Sequence, residues 1–266
     1  MIRVHKPDIK NIAVCFGGEC RSYNKCSQSI KRFFELENIN VKYFAHAWNT
    51  NSYKVKREDN VKFVYEEHPV NHIYTDIQNY YPFEKLKVEE KFEQKGSWDN
   101  LFYSDAMSNL FKREYEFKNN MTFDIVFKCR FDLAFNPEKN FKDLIEHWHV
   151  HQKKIYSDIW LMPVEWGLPN IDDCFYFGSS LTMDLVASNM PYVSNNVYRE
   201  LMPNLDPSQN PYYFGGPGVN MYRWIKHNNI MTQKIMRPFL IYRRQAFDLD
   251  PVTQYSDILE RIKKIY

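Results

Sequence analysis

The order in which short apolar runs and helically spaced segments alternate constrains this chain most, and it begins with Asn11–Phe16 (NIAVCF), closed at once by Gly17–Gly18. Apolar residues at Ile30, Phe33 and Phe34 within Asn24–Glu37 then repeat at helical spacing, so the opening reads as strand, glycine loop, helix. Val41–His46 (VKYFAH) reads as a second strand and Val61–Tyr65 (VKFVY) as a third. Trp98–Asn119 is a helix with Leu101, Met107, Leu110 and Phe111 on one side; the pair Asn119–Asn120 stops it, and a strand follows at Asp124–Arg130. Asn136–Pro137 marks a break and a helix start. Lys154–Leu161 and Cys174–Phe177 add two strands, and Ser179 caps a helix to Met190 that turns Leu181, Leu185 and Val186 inward. Such alternation predicts an α/β fold: one domain over 1–266, with a mixed, mainly parallel Rossmann-like sheet flanked by helices.

Other stretches are less regular. Glu66–Gly96 reads as an excursion that covers the site. Gly215–Gly218 is a loop before a helix through His227, Ile230–Tyr242 returns toward a strand, and Asp257–Tyr266 closes as a short amphipathic helix.

Composition excludes several classes. Hydrophobic residues make up 44% of the chain and aromatics 17%, with only 8 Gly, which opposes disorder and low complexity. Lys plus Arg number 35 against 33 Asp plus Glu, too even for a nucleic-acid groove or an anionic membrane to be read from net charge. No stretch approaches the roughly 20 apolar residues of a membrane span, and MIRVHKPDIK lacks the apolar run of a signal peptide, so the expected location is cytoplasmic. Of the 5 cysteines, Cys15, Cys129 and Cys174 sit in strand-like runs as buried thiols; Cys15, Cys20 and Cys26 lack the C-x-x-C pairs of a zinc site.

Ligands of open α/β sheets bind at the carboxyl ends of the strands, and three segments qualify. In Phe16-Gly17-Gly18-Glu19-Cys20-Arg21 the glycines allow close backbone approach and Arg21 suits a phosphate or a base edge; neither G-x-G-x-x-G nor a Walker loop is present. In Lys128-Cys129-Arg130-Phe131-Asp132 a carboxylate at a strand end can hold a divalent cation against a diphosphate, with the two bases beside it. The alternative is an Arg130–Asp132 ion pair at the sheet rim. Asp172 and Asp173, just before Cys174–Phe177, suit metal binding, recognition of an acceptor hydroxyl or general-base work; the plainer reading is a solvated, capping loop. Asp248-Leu249-Asp250 is a literal D-x-D but comes after the last strand, and His147, His149 and His151 alternate in HWHVH; both are weaker metal candidates.

Taken in order, IAVCFGGECRSY, VKYFAHAW, FDIVFKCRFDLAF and DDCFYFGSSLTMD resemble a family of poorly characterised GT-A-type glycosyltransferases of large DNA viruses, phages and bacterial surface-polysaccharide clusters, over about Asn11 to Met190. In that family the first strand ends in a small residue, Gly, Gln, x, Arg; the second in His-x-Trp; the central one in Arg-x-Arg-x-Asp. The resemblance implies a GT-A-like fold, residues 1–135 binding the nucleotide sugar and 136–266 facing the acceptor. It implies donor contacts from Phe16, Gly17, Gly18, Arg21, His46, Trp48, Lys128 and Arg130, and a Mn²⁺ or Mg²⁺ ion on Asp132. Asp172 or Asp173 would serve the acceptor hydroxyl as a catalytic base, with Trp160, Trp166 and Tyr176 available to stack on acceptor sugars. Glu19 replaces the family's Gln, and Lys128 replaces an Arg.

Two rival readings stand beside it. One is a GT-A-like domain that binds a glycan or partner without turnover. The other is a nucleotide-handling transferase acting on modified DNA, which the dispersed bases disfavour, Arg243–Arg244 being the nearest pair.

Overall fold

A computed structural model of the protein describes residues 9–56, 63–69, 73–91, 99–145, 154–161, 169–193, 221–222, 224–226, 228–235 and 239–241. In chain order the elements are β1 (Asn11–Glu19), α1 (Tyr23–Phe34), β2 (Asn40–Trp48), β3 (Thr50–Lys56), β4 (Phe63–Pro69), α2 (Ile73–Gln78), β5 (Phe83–Glu89) and α3 (Asp99–Asn119). Then come β6 (Ile125–Cys129), β7 (Leu133–Phe135), a 3-10 turn (Phe141–Leu144), β8 (Lys154–Leu161), β9 (Pro169–Gly178), α4 (Ser180–Val193), β10 (Met231–Lys234) and β11 (Phe239–Ile241).

Seven strands form one sheet in the order β10-β8-β9-β6-β1-β2-β5. Only β9 runs against the others, pairing antiparallel with β6 and β8. Numbered within this sheet alone, the order is 3-2-1-4-6-5-7 with the sixth strand reversed. Its first four positions follow the dinucleotide-binding order: the chain steps outward from β1 to β2 and β5, then returns through α3 to β6 on the other side of β1. In open α/β sheets such a reversal marks the crevice where ligands bind, which here falls beyond the carboxyl ends of β1 and β6.

Both faces of the central strands are covered. Ile12, Val14 and Phe16 pack on one side with α1 residues Cys26, Ile30, Phe33 and Phe34, while Ala13 and Cys15 pack on the other with Phe102 and Phe111 of α3 and Met183 and Val186 of α4. The period of two in β1 thus splits one apolar run between two cores.

Several sequence expectations need correcting. Val61–Tyr65 does not add a third parallel strand: β4 pairs antiparallel with β3 in a separate hairpin. The third parallel strand is β5, inside the stretch read as irregular; its edge position explains a charged sequence, FEKLKVE, that hides the strand signal. The Gly17–Gly18 pair belongs to β1, which runs on to Glu19 beside Trp48. Asp172 and Asp173 likewise lie within β9, not in a loop before it. A 3-10 turn capped by Asn140 replaces the helix expected after Asn136–Pro137. Leu181 is 79% and Leu110 41% exposed, so neither lies on the inward side of its helix.

The inward face of α3 is polar as well as aromatic: beside Phe102 and Phe111, the residues Ser104, Asp105, Ser108, Asn109 and Lys112 are all buried. Hydrophobic periodicity therefore placed Phe111 and Met107 correctly, erred at Leu110, and gave no sign of the polar residues buried beside them. A buried charge is tolerated only when its hydrogen bonds are satisfied, and Lys112 shows how. Its ammonium meets Glu116 Oε2 at 2.8 Å, Asp184 Oδ1 at 2.7 Å and Ser180 Oγ at 2.5 Å, three acceptors for three protons. Asn109 also donates to Asp184, and Ser180 to Glu116, so α3 and α4 are joined by a closed network. Lys112→Met keeps the stem but strands two carboxylates; urea denaturation should show a loss of about 3–5 kcal/mol. A loss under about 1 kcal/mol would mean that water reaches these groups.

Candidate functional site

The crevice at the reversal point is bordered by three chain segments far apart in sequence. The ends of β1 and β6 bring Gly17–Arg21 and Lys128–Asp132, and because β9 is reversed, its beginning lies at the same edge, with Phe175 opposite Cys129. All three segments singled out from the sequence therefore converge.

In β9 the pairing is interrupted where the carboxylates sit. Register with β8 jumps from Ser157–Tyr176 to Ile159–Ile171, and β6 pairs only from Phe175 onward, so Asp172, Asp173 and Cys174 fall in a gap of the register on both sides. Such a bulge re-aims side chains that a regular strand would turn to alternate faces. Carboxylate oxygens of Asp172 and Asp173 and the thiol sulfur of Cys174 lie within 4.8 Å of one another. Asp172 Oδ1 accepts from the Cys174 amide at 2.8 Å, and Asp172 is buried while Asp173 is partly exposed.

Beside them, Arg130 grips Asp132 with both arms of its fork, Nε to Oδ1 at 2.8 Å and Nη2 to Oδ2 at 2.5 Å. Nη1 points to Cys174 Sγ at 3.5 Å. Asp132 is buried. The ion-pair reading of these two residues thus describes the geometry, and the oxygens expected to hold a cation are already taken by a guanidinium. Lys128 is also committed: its buried ammonium donates to the Asp173 carbonyl and lies 3.4 Å from Asp105 Oδ2.

Other expected donor contacts face inward. Phe16 is fully buried and stacks on Phe131, ring centroids 4.8 Å apart. Trp48 is buried against His46 and Tyr103. His46 has no exposed surface; Nε2 is 2.6 Å from Glu89 Oε2 and Nδ1 is 2.9 Å from Ser104 Oγ. Burial lowers the pKa of His46 despite Glu89, and the neutral ring donates from Nε2 to that carboxylate, while the Ser104 hydroxyl donates to the His46 carbonyl at 2.9 Å. Ser104 Oγ receives the Gly18 amide proton at 2.6 Å. Serine, histidine and glutamate in line suggest a nucleophile, yet Ser104 is sealed from solvent and the line works as a clamp joining β1, β2 and α3. Arg21 pairs with Glu19 at 2.9 Å, as does Lys91 at 2.5 Å, so the charge of Glu19 is compensated.

Gly17 has a reason that periodicity does not reveal. A Cβ there would stand 2.1 Å from Asp105 Oδ1 and 3.0 Å from the Asp105 amide nitrogen, so the glycine lets α3 press its aspartate against β1. Asp105 is the residue that sequence reasoning missed, because nothing in a helix sequence marks a carboxylate that will be buried beside a lysine from another strand. Burial pushes its carboxyl up to about 6, against the opposing pull of Lys128.

No protein-family model matches the chain, and no curated protein does either. Among the described residues no helix is long and apolar enough to cross a membrane. Trp166, His147, His149, His151, Arg243, Arg244, Asp248 and Asp250 lie outside the described residues, as do Gly215–Gly218 and the closing helix expected at Asp257–Tyr266. Tyr176 is buried in the sheet, not presented for stacking.

Two predictions concern this wall of the crevice. Gly17→Ala should destabilise the fold by about 1–3 kcal/mol in chemical denaturation, through overpacking against Asp105; a neutral result would show that α3 can withdraw freely. Because the Asp105 carboxyl binds its proton more tightly in the folded chain than at its ordinary value of 3.8, its favourable contribution is complete below that value and is lost as pH rises through about 6. Relative to Asp105→Asn, the wild type should therefore lose about 3 kcal/mol of stability between pH 3.5 and 7. A difference that stays flat over this range would place the carboxylate in contact with water.

Proposed function

We propose that this chain is a glycosyltransferase of the GT-A type, moving a sugar from a nucleotide-sugar donor to a glycan or other hydroxyl acceptor with the help of a divalent cation. The observation that carries this reading is the convergence of Asp172 and Asp173 with the Arg130–Asp132 pair at the point where the strand order reverses. A mixed sheet with one reversed strand beside the central one supports the GT-A assignment over a plain dinucleotide-binding fold, as does the absence of a G-x-G-x-x-G turn.

Charge at the crevice favours a cation. Arg21, Lys91, Lys128 and Arg130 each already meet a carboxylate, whereas Asp173 is in no ion pair among the described residues. Hard carboxylate donors on Asp172 and Asp173 fit Mg²⁺ or Mn²⁺, while Asp132 fits poorly with both oxygens in the fork of Arg130. Bound there, a divalent ion would neutralise the diphosphate as the bond to the sugar breaks. Arg130, oriented by Asp132, presents Nη1 toward the same edge and stabilises charge on the departing diphosphate. Gly18 and Arg21 border the donor side of the crevice; Phe16, His46 and Trp48 shape it from behind without touching the ligand.

Thermal unfolding with a panel of nucleoside diphosphates and nucleotide sugars, with and without Mn²⁺, tests the proposal. One nucleotide class should stabilise the protein by about 2.7 kcal/mol at 100 times its dissociation constant, only with the metal, and Asp173→Asn should abolish the effect. No response to any nucleotide would overturn this reading in favour of a domain that binds a glycan without turnover.

A further inference from the structure

Two residues of β9, Asp172 and Asp173, carry the proposed cation ligands. Asp172, Asp173 and Cys174 fall in the register gap, where two of their backbone groups take side-chain partners. Two side chains supply them: Asp172 Oδ1 takes the Cys174 amide proton, and Lys128 Nζ donates to the Asp173 carbonyl. Lys128 is only 2% exposed, and an ammonium in that position is stable only beside a carboxylate. Asp105 provides it, 3.4 Å away and only 4% exposed, reaching across from α3 over the bare Cα of Gly17.

We infer that Asp105 and Lys128 are a buried positioning pair that sets the bulged segment Asp172–Cys174 and thereby the carboxylates at the crevice. Its consequence for cation binding rests on the function proposed above; its consequence for the geometry of the bulge does not. The chain of contacts runs from Gly17 through Asp105 and Lys128 to the Asp173 carbonyl, so a helix on one face of the sheet fixes a strand edge on the other side of β6. Neither residue need touch a ligand. Lys128 acts through the peptide of Asp173, and Asp105 acts through Lys128.

Amide hydrogen exchange followed by NMR reads the bulge directly, with the Cys174 amide as reporter and the amide of Phe44, in the interior of β2, as reference. Asp105→Asn and Lys128→Met should each speed Cys174 exchange at least tenfold while Phe44 is unchanged, and the double variant should lose no more than either alone. Lys128→Arg, which keeps a charge and a donor, should restore most of the protection. If Lys128→Met does not fold, Asp105→Asn, which keeps the shape, carries the test. Mn²⁺ titration followed by electron paramagnetic resonance should then show tenfold weaker binding in the variants that lose Cys174 protection. Unchanged Cys174 exchange in Asp105→Asn, or equal acceleration of Cys174 and Phe44, would overturn the inference. Accelerated Cys174 exchange in a protein whose wild type binds no Mn²⁺ would support the positioning pair and overturn the cation-assisted function instead.

Discussion

Docking α3 onto the sheet is possible only if every charged group it buries is matched first, and most of this structure follows from that demand. Lys112 is satisfied by Glu116, Asp184 and Ser180, which commits α4 to lie beside α3. Asp105 is matched by Lys128, which fixes α3 against β6. Ser104 joins the Gly18 amide and the imidazole of His46, which fixes it against β1 and β2. Replacing such contacts with hydrocarbon of the same shape would cost little stability. What polar contacts add is a single permitted position for the helix, since a slide by one residue would leave several buried donors and acceptors unmatched.

The elements that were legible from the sequence are those whose burial is simple. β1, β2 and β6 announce themselves as apolar runs because both their faces are covered, and α1 shows its inward stripe at Ile30, Phe33 and Phe34. β5 stayed hidden because an edge strand can be charged, and Val61–Tyr65 misled because a hairpin strand and a sheet strand share the same alternation. α3 was found as a helix with Phe111 rightly inside, but Leu110 at 41% exposure lies outside, and the burial of Asp105 and Lys112 left no mark in the apolar pattern.

A similar division holds at the site. That Gly17–Arg21 and Lys128–Asp132 belong together could be read from their places after apolar runs, because strand ends on one edge of a parallel sheet meet; Asp172–Asp173 precede their apolar run and join that edge only because β9 is reversed. Which of their side chains reach the crevice could not. Phe16 and His46 point away from it because alternate residues of a strand take opposite faces, and the register deciding this is fixed by partners distant in sequence. The fork of Arg130 on Asp132 depends on local rotamers, and the bulge at Asp172–Cys174 on a mismatch between β8 and β9.

Reversal of β9 also bears on how the molecule comes into being. The parallel portion β5-β2-β1-β6 is made from residues 11–129, yet the carboxylate edge of the crevice is contributed only when β9 pairs with β6. During synthesis the early strands and α3 therefore emerge with Asp105 and Lys128 already able to meet, while the Asp173 carbonyl that Lys128 will bind is still more than 40 residues away along the chain. Long-range pairings of this kind form late because loop closure must precede the gain from contact. The nascent chain thus passes through a stage in which much of the scaffold exists and this edge lacks its acidic side, so that the carboxylates of Asp172 and Asp173 join it only when the sheet is nearly whole.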